Sequence, residues 1–106
     1  MGHYSIAAYR PLVGKDAELL EEIKTHVPIL RELGLATDRP SHAMRAKDGT
    51  IIEVFEWKSK EAVEQAHTNP GVLAMWERFG KVCEYAPLTT VAETQDMFAQ
   101  FEPIDF

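Results

Sequence analysis

The chain has 106 residues, 45% hydrophobic and 26% charged, which suits one hydrophobic core and leaves no room for a second. A formal charge of −6 with no run of Lys or Arg argues against a nucleic-acid surface, which needs clustered cations to displace counterions. No apolar run approaches the roughly 20 residues that span a bilayer. The opening MGHYSIAAYRP lacks the charged, apolar, small-residue order of a secretory leader, so a single cytoplasmic domain over 1–106 is expected.

Tyr4 to Arg10 (YSIAAYR) reads as the first strand, stopped by Pro11 and Gly14. From Lys15 the period changes: Leu19, Leu20, Ile23, Val27, Leu30 and Leu33 recur at helical spacing, with acids at the start and Gly34 at the end. Pro28 falls inside this helix and predicts a kink, because it removes one backbone donor and crowds the carbonyl of Lys24. GLATDRPS is a loop, and HAMRAKDGTIIEVFEW reads as a hairpin turning at Asp48-Gly49. Ser59 then caps a helix to Ala66 or His67. Asn69-Pro70 starts another, with Val72, Leu73, Trp76 and Phe79 as its inner stripe and Gly80 as its end. KVCEYAPLTTV is expected to be the last strand, with Pro87 at a bulge or an edge. The tail over 91–106 carries Met97, Phe98, Phe101, Ile104 and Phe106, so it is expected to pack on its own or a partner subunit.

This order is β-α-β-β-α-β, with the second α in two pieces. The connection rules give an α+β, ferredoxin-like fold: a four-stranded antiparallel sheet with helices on one face. Ile51, Phe55 and Trp57 alternate with Ile52 and Val54, so both faces of the sheet are apolar. A second copy of the chain is the simplest cover for the face without helices, and a homodimer is expected.

With this order in place, the junction FEWKSKEAVEQAHTNPGVLAMW and the closing VCEYAPLTTV resemble the antibiotic-biosynthesis-monooxygenase-like group of the dimeric α/β-barrel superfamily. The resemblance spans Tyr4 to Val91. It implies a dimeric α/β barrel with a cavity between sheet and helices in each subunit, and cofactor-independent oxygenase activity on aromatic polyketides or quinols. The group's haem-degrading branch uses a histidine, a tryptophan and an asparagine. Aligned on Trp57 and Ser59, this chain has Trp76 and Ala66 at the first two positions, and its first strand offers Tyr9 or Ala8 at the third. The haem reading is therefore disfavoured, and no cofactor is expected.

His26 lies on the stripe of Leu19, Ile23, Leu30 and Leu33, where a histidine either lines a cavity or is a bonded core residue. His67 ends EAVEQAH, where the helix dipole alone gives a structural reason for it. Glu53 shares a strand face with Ile51, Phe55 and Trp57, so its carboxylate needs a partner or a raised pKa. A three-residue loop Lys47-Asp48-Gly49 puts Arg45 on its face and suggests an ion pair. A two-residue Asp48-Gly49 turn brings His42 and Met44 there instead and suggests a His-Glu proton-handling site. Tyr9, Tyr85, Trp76 and Phe79 form either an aromatic cavity wall or plain core. Cys83 is the single cysteine and suits an inert buried thiol. The four histidines have no metal-ligand spacing, so no metal is expected.

Two functions follow. In one, His26, His67 or Glu53 is the base of a monooxygenase-like enzyme that holds a small apolar or aromatic ligand against Tyr9, Trp76, Phe79, Tyr85 and Arg45. In the other, a non-catalytic, ligand-binding or stress-associated dimeric domain uses the same residues for packing.

Overall fold

The computed structural model describes residues 2–106. In chain order the elements are β1 (His3–Pro11), α1 (Asp16–Glu32), β2 (His42–Arg45), β3 (Ile51–Trp57), α2 (Lys60–Ala66), α3 (Pro70–Gly80), β4 (Cys83–Ala86) and β5 (Glu102–Ile104). Two short 3-10 turns, Leu88–Thr90 and Ala92–Gln95, lie between β4 and β5. The fold is α+β and compatible with a ferredoxin-like arrangement. Its sheet is open and antiparallel throughout, in the order β4-β1-β3-β2-β5.

The sheet has five strands where the sequence pattern gave four. β2 would otherwise be an edge with a row of unpaired backbone groups, and the tail fills it, setting Ile104, Pro103 and Glu102 opposite Ala43, Met44 and Arg45. Pro103 is tolerated because an edge strand needs no donor on its outer side. KVCEYAPLTTV forms strand only as far as Ala86, on the opposite edge, and Pro87 leads into a 3-10 turn.

Local chemistry explains the helices. Leu19, Ile23, His26, Val27 and Leu30 form the buried face of α1, which runs on through the exposed Pro28 to Glu32. Gly34, at φ 78°, turns the chain out of the helix while Leu35 N–H donates to the Leu30 carbonyl at 2.8 Å. Ser59 Oγ accepts from Ala62 N–H at 3.1 Å, and Asn69 Oδ1 accepts from Gly71 N–H at 2.9 Å. The inner stripe of α3 is Val72, Met75 and Phe79. Leu73 lies about 100° around the helix from Val72 and is exposed, which corrects the expected stripe.

The hairpin has the three-residue loop, closed by Ala46 N–H on the Thr50 carbonyl at 2.8 Å, with Gly49 at φ 94°. Asp48 Oδ1 accepts the Thr50 N–H at 2.8 Å, and this bond holds the Asp48 carboxyl below its ordinary range. Arg45 stands opposite Ile51 and Ala43 opposite Glu53. Arg45 therefore shares a face with Glu53, as that loop requires.

Each face of the sheet has its own core. Under the helices, Tyr9, Ile51, Phe55 and Trp57 pack with Leu19, Ile23, Leu30, Met75 and Phe79. On the other face Ala8, Ala46 and Ile52 pack with Val91, and Leu88 and Phe101 flank them. The tail thus covers part of the face assigned wholly to a second subunit, and Tyr4 and Ile6 on β1 remain exposed there.

Candidate functional site

Antiparallel pairing places Ala7 beside Glu53, so Tyr9, two residues on, points to the same side of the sheet. α1 lowers His26 onto that side. The three side chains meet: Tyr9 O–H donates to Glu53 Oε1 at 2.8 Å, and His26 Nδ1 lies 2.7 Å from the same oxygen. None of the three is more than 4% exposed. A buried carboxylate is tolerable only when bonded, and here two elements supply its partners.

The expected Arg45–Glu53 ion pair does not form among the described residues; His26 takes that place. Arg45 lines a different surface cleft with Lys47, Glu93 and Phe101, because its strand position lies two residues beyond Ala43. A His-Glu pair is present, but its histidine comes from α1. His42 faces the other side of the sheet, opposite Val54.

Bonding to Glu53 places the proton of neutral His26 on Nδ1 and the ring lone pair on Nε2. Nε2 has no hydrogen-bond partner among the described residues, yet it is not sealed from solvent. The cavity that His26 lines has a volume of about 420 Å³ and is walled by Tyr9, Phe55, Trp57, Trp76 and Tyr85. Ser5, Ile6 and Ala7 form its mouth, beside the stretch of β1 that β4, paired only from Ala8 to Pro11, leaves open.

The walls are held by ring contacts. Phe55 meets His26 edge-on with centroids 5.2 Å apart, and Tyr9 lies 5.6 Å from Tyr85. Phe79 sits behind the wall, buried, 5.2 Å from His26 and stacked at 6.4 Å on Tyr85. Trp57 Nε1–H donates to Ser5 Oγ at 2.8 Å, which fixes the indole at the mouth. Burial, and then the Glu53 charge and hydrogen bond, raise the Tyr9 phenol well above its ordinary value. Tyr9 thus remains a neutral donor. Burial likewise pushes the Tyr85 phenol up to about 12 and the Cys83 thiol up to about 11.

His67 is not part of this site. It is exposed at the end of α2, where Nδ1 lies 2.9 Å from the Val63 carbonyl, and its ring meets Trp76 edge-on at 5.4 Å. Phe55, Trp57 and Ser5 join the site without having been singled out as site residues. The alternation Glu53, Phe55, Trp57 was the signal available for two of them. Among the described residues no group of three or more His, Cys, Asp or Glu side chains could hold a metal ion. No helix there is long and apolar enough to cross a membrane.

Chemically, the arrangement is an imidazole oriented by a carboxylate, its second nitrogen unpartnered among the described residues and its ring lining an aromatic cavity. Such a group can accept a proton from a bound molecule, or hydrogen-bond a polar edge of one. Comparisons with protein-family models, with curated proteins and with solved structures found no match.

Proposed function

We propose that the cavity beside His26 binds a small planar aromatic, quinol or polyketide-like molecule, and that the protein acts on it as a cofactor-independent monooxygenase-like enzyme. One observation carries the reading: His26 Nε2 is unpartnered and open to an aromatic-walled cavity, while Glu53 fixes the other nitrogen. His26 accepts a proton from an acidic ring methylene or phenol, and Tyr9 steadies Glu53 as a neutral donor. The electron-rich anion then reduces dioxygen directly. For a ring methylene, one oxygen atom becomes the new carbonyl and the other leaves as water, so CH2 and O2 give C=O and H2O. The aromatic walls favour this chemistry by giving the planar anion an apolar surface to lie against.

The test uses a built-in reporter, because both tryptophans of the chain line the cavity. Anthrone and 1,4-naphthohydroquinone should quench tryptophan emission on binding, and protein should accelerate their oxygen uptake. His26→Gln should retain the quenching and lose the acceleration by roughly 100-fold, the usual scale for a general base. Equal oxygen uptake by both proteins would remove the catalytic reading.

A second reading is favoured by the burial of the triad: Tyr9, His26 and Glu53 are each at most 4% exposed and bonded to one another, as core polar groups are. On that reading the cavity binds without reacting, and quenching without oxygen uptake is the expected result. Under either reading, exposed Tyr4 and Ile6 support a homodimer joined through the part of the sheet that the tail leaves open.

A further inference from the structure

A second cavity, of about 390 Å³, lies on the far side of Glu53 from the aromatic one, between α1, the start of β2 and residues 103–106. Glu53 is 2% exposed, and both of its bonds fall on Oε1. Oε2 has no partner among the described residues and is not sealed from solvent, and this second cavity is the one Glu53 lines. A carboxylate oxygen only accepts hydrogen bonds, so its complement is an N–H or O–H donor, and a charged donor gains most where little water competes.

Part of the remaining lining has the opposite sign. Lys24 and Arg31 lie seven residues apart on one face of α1 and both line the cavity. Lys24 makes no ion pair among the described residues. Arg31 gives Nε and Nη2 to the carbonyls of Thr37 and Arg39, which leaves Nη1 without a partner among the described residues and holds the guanidinium in place. Asp105 is the one other acid in the lining, and Ile23, Val27 and Ile104 supply an apolar patch. The cavity therefore presents a buried acceptor, a cationic flank and an aliphatic wall together.

We propose that this cavity binds a small zwitterion, specifically an α-amino acid with a branched aliphatic side chain. Its ammonium donates to Glu53 Oε2, its carboxylate meets Lys24 and Arg31, and its side chain lies on Ile23, Val27 and Ile104. Binding there does not require any reaction beside His26. Glu53 lines this cavity and bonds the His26 that lines the other, so occupancy here is felt by the carboxylate that orients the base there.

Titration calorimetry on the intact chain with L-leucine, 3-methylbutylamine and 4-methylpentanoate separates the contributions. Leucine should bind about tenfold more tightly than either fragment, since each charged contact is worth about that factor. Lys24→Met should weaken leucine several-fold and leave the amine unchanged. Glu53→Gln should weaken leucine and the amine and leave the acid unchanged. Because Glu53→Gln also disturbs the buried network, the exposed Lys24 variant decides the matter if the Glu53 variant does not fold. Trp76→Ala, which alters only the aromatic cavity, should leave leucine binding intact even if no aromatic ligand binds. No leucine binding at millimolar concentration overturns the proposal, as does either fragment matching leucine, or a Lys24→Met protein that binds leucine as the parent does.

Discussion

The two faces of the sheet are covered by different kinds of structure, and the difference decides where chemistry can sit. Helices stand well above the strands, so α1 can lower His26 onto Glu53 and still leave cavities on both sides of the pair. The tail, by contrast, lies flat. Its 3-10 turns press Val91 onto Ala8, Ala46 and Ile52 and, among the described residues, enclose no buried ionic pair. A helix brings its own polar partner to a buried carboxylate, whereas the strap's polar bonds, Arg10 to Thr90 and Lys47 N–H to Glu93, lie at the exposed surface. The more deeply covered face is consequently the one that carries the candidate site.

That contrast can be broken at graded cost. Phe79→Ala, beneath the helices, should destabilise by about 4 kcal/mol in urea unfolding and open the wall behind Tyr85. Glu53→Ala strands the Tyr9 hydroxyl and His26 Nδ1 without partners and should cost about 3 kcal/mol by the same assay. Val91→Ala, the anchor of the tail, should cost only about 2 kcal/mol, because it removes two methyl groups from a smaller cluster.

Alkaline pH sharpens the comparison further. Tyr9, Tyr85 and Cys83 hold their protons more tightly when folded than their ordinary values of 10.0, 10.0 and 9.0. Above about pH 9 the unfolded chain therefore binds fewer protons than the folded one. Stability should fall steadily from there upward, and Tyr85→Phe should flatten the slope of urea midpoint against pH. The smallest effect is at Ile6: Ile6→Ser should change monomer stability by no more than about 0.5 kcal/mol. If the exposed part of the sheet joins two copies, the same change should shift sedimentation toward the single subunit.

Local elements were legible because their signals are local. Ser59 and Asn69 mark their helices through side chains that bond two or three residues on, and Asp48-Gly49 marks the hairpin in the same way. Tyr9 stands opposite Tyr85 because β4 pairs with β1, a contact between strands at the two ends of the chain pattern. Glu53's need for a partner was also visible, since alternation put it among Ile51, Phe55 and Trp57. Which partner it takes was not visible, because Arg45 and His42 are near in sequence while His26 reaches Glu53 across 27 residues of chain. β5 was hidden for a related reason: three residues with a central proline carry no strand pattern and become strand only by completing an edge made elsewhere.

The position of β1 has a consequence for how the molecule assembles. β1 is an interior strand whose two partners both come later in the chain, residues 51–57 on one side and 83–86 on the other. Ring closure over such spans is entropically slow, so refolding should be sluggish for a chain of this size. On the ribosome, β1 must wait unpaired until most of its neighbours have been synthesised. For that interval, nascent copies emerging side by side on one messenger present open strand edges to each other.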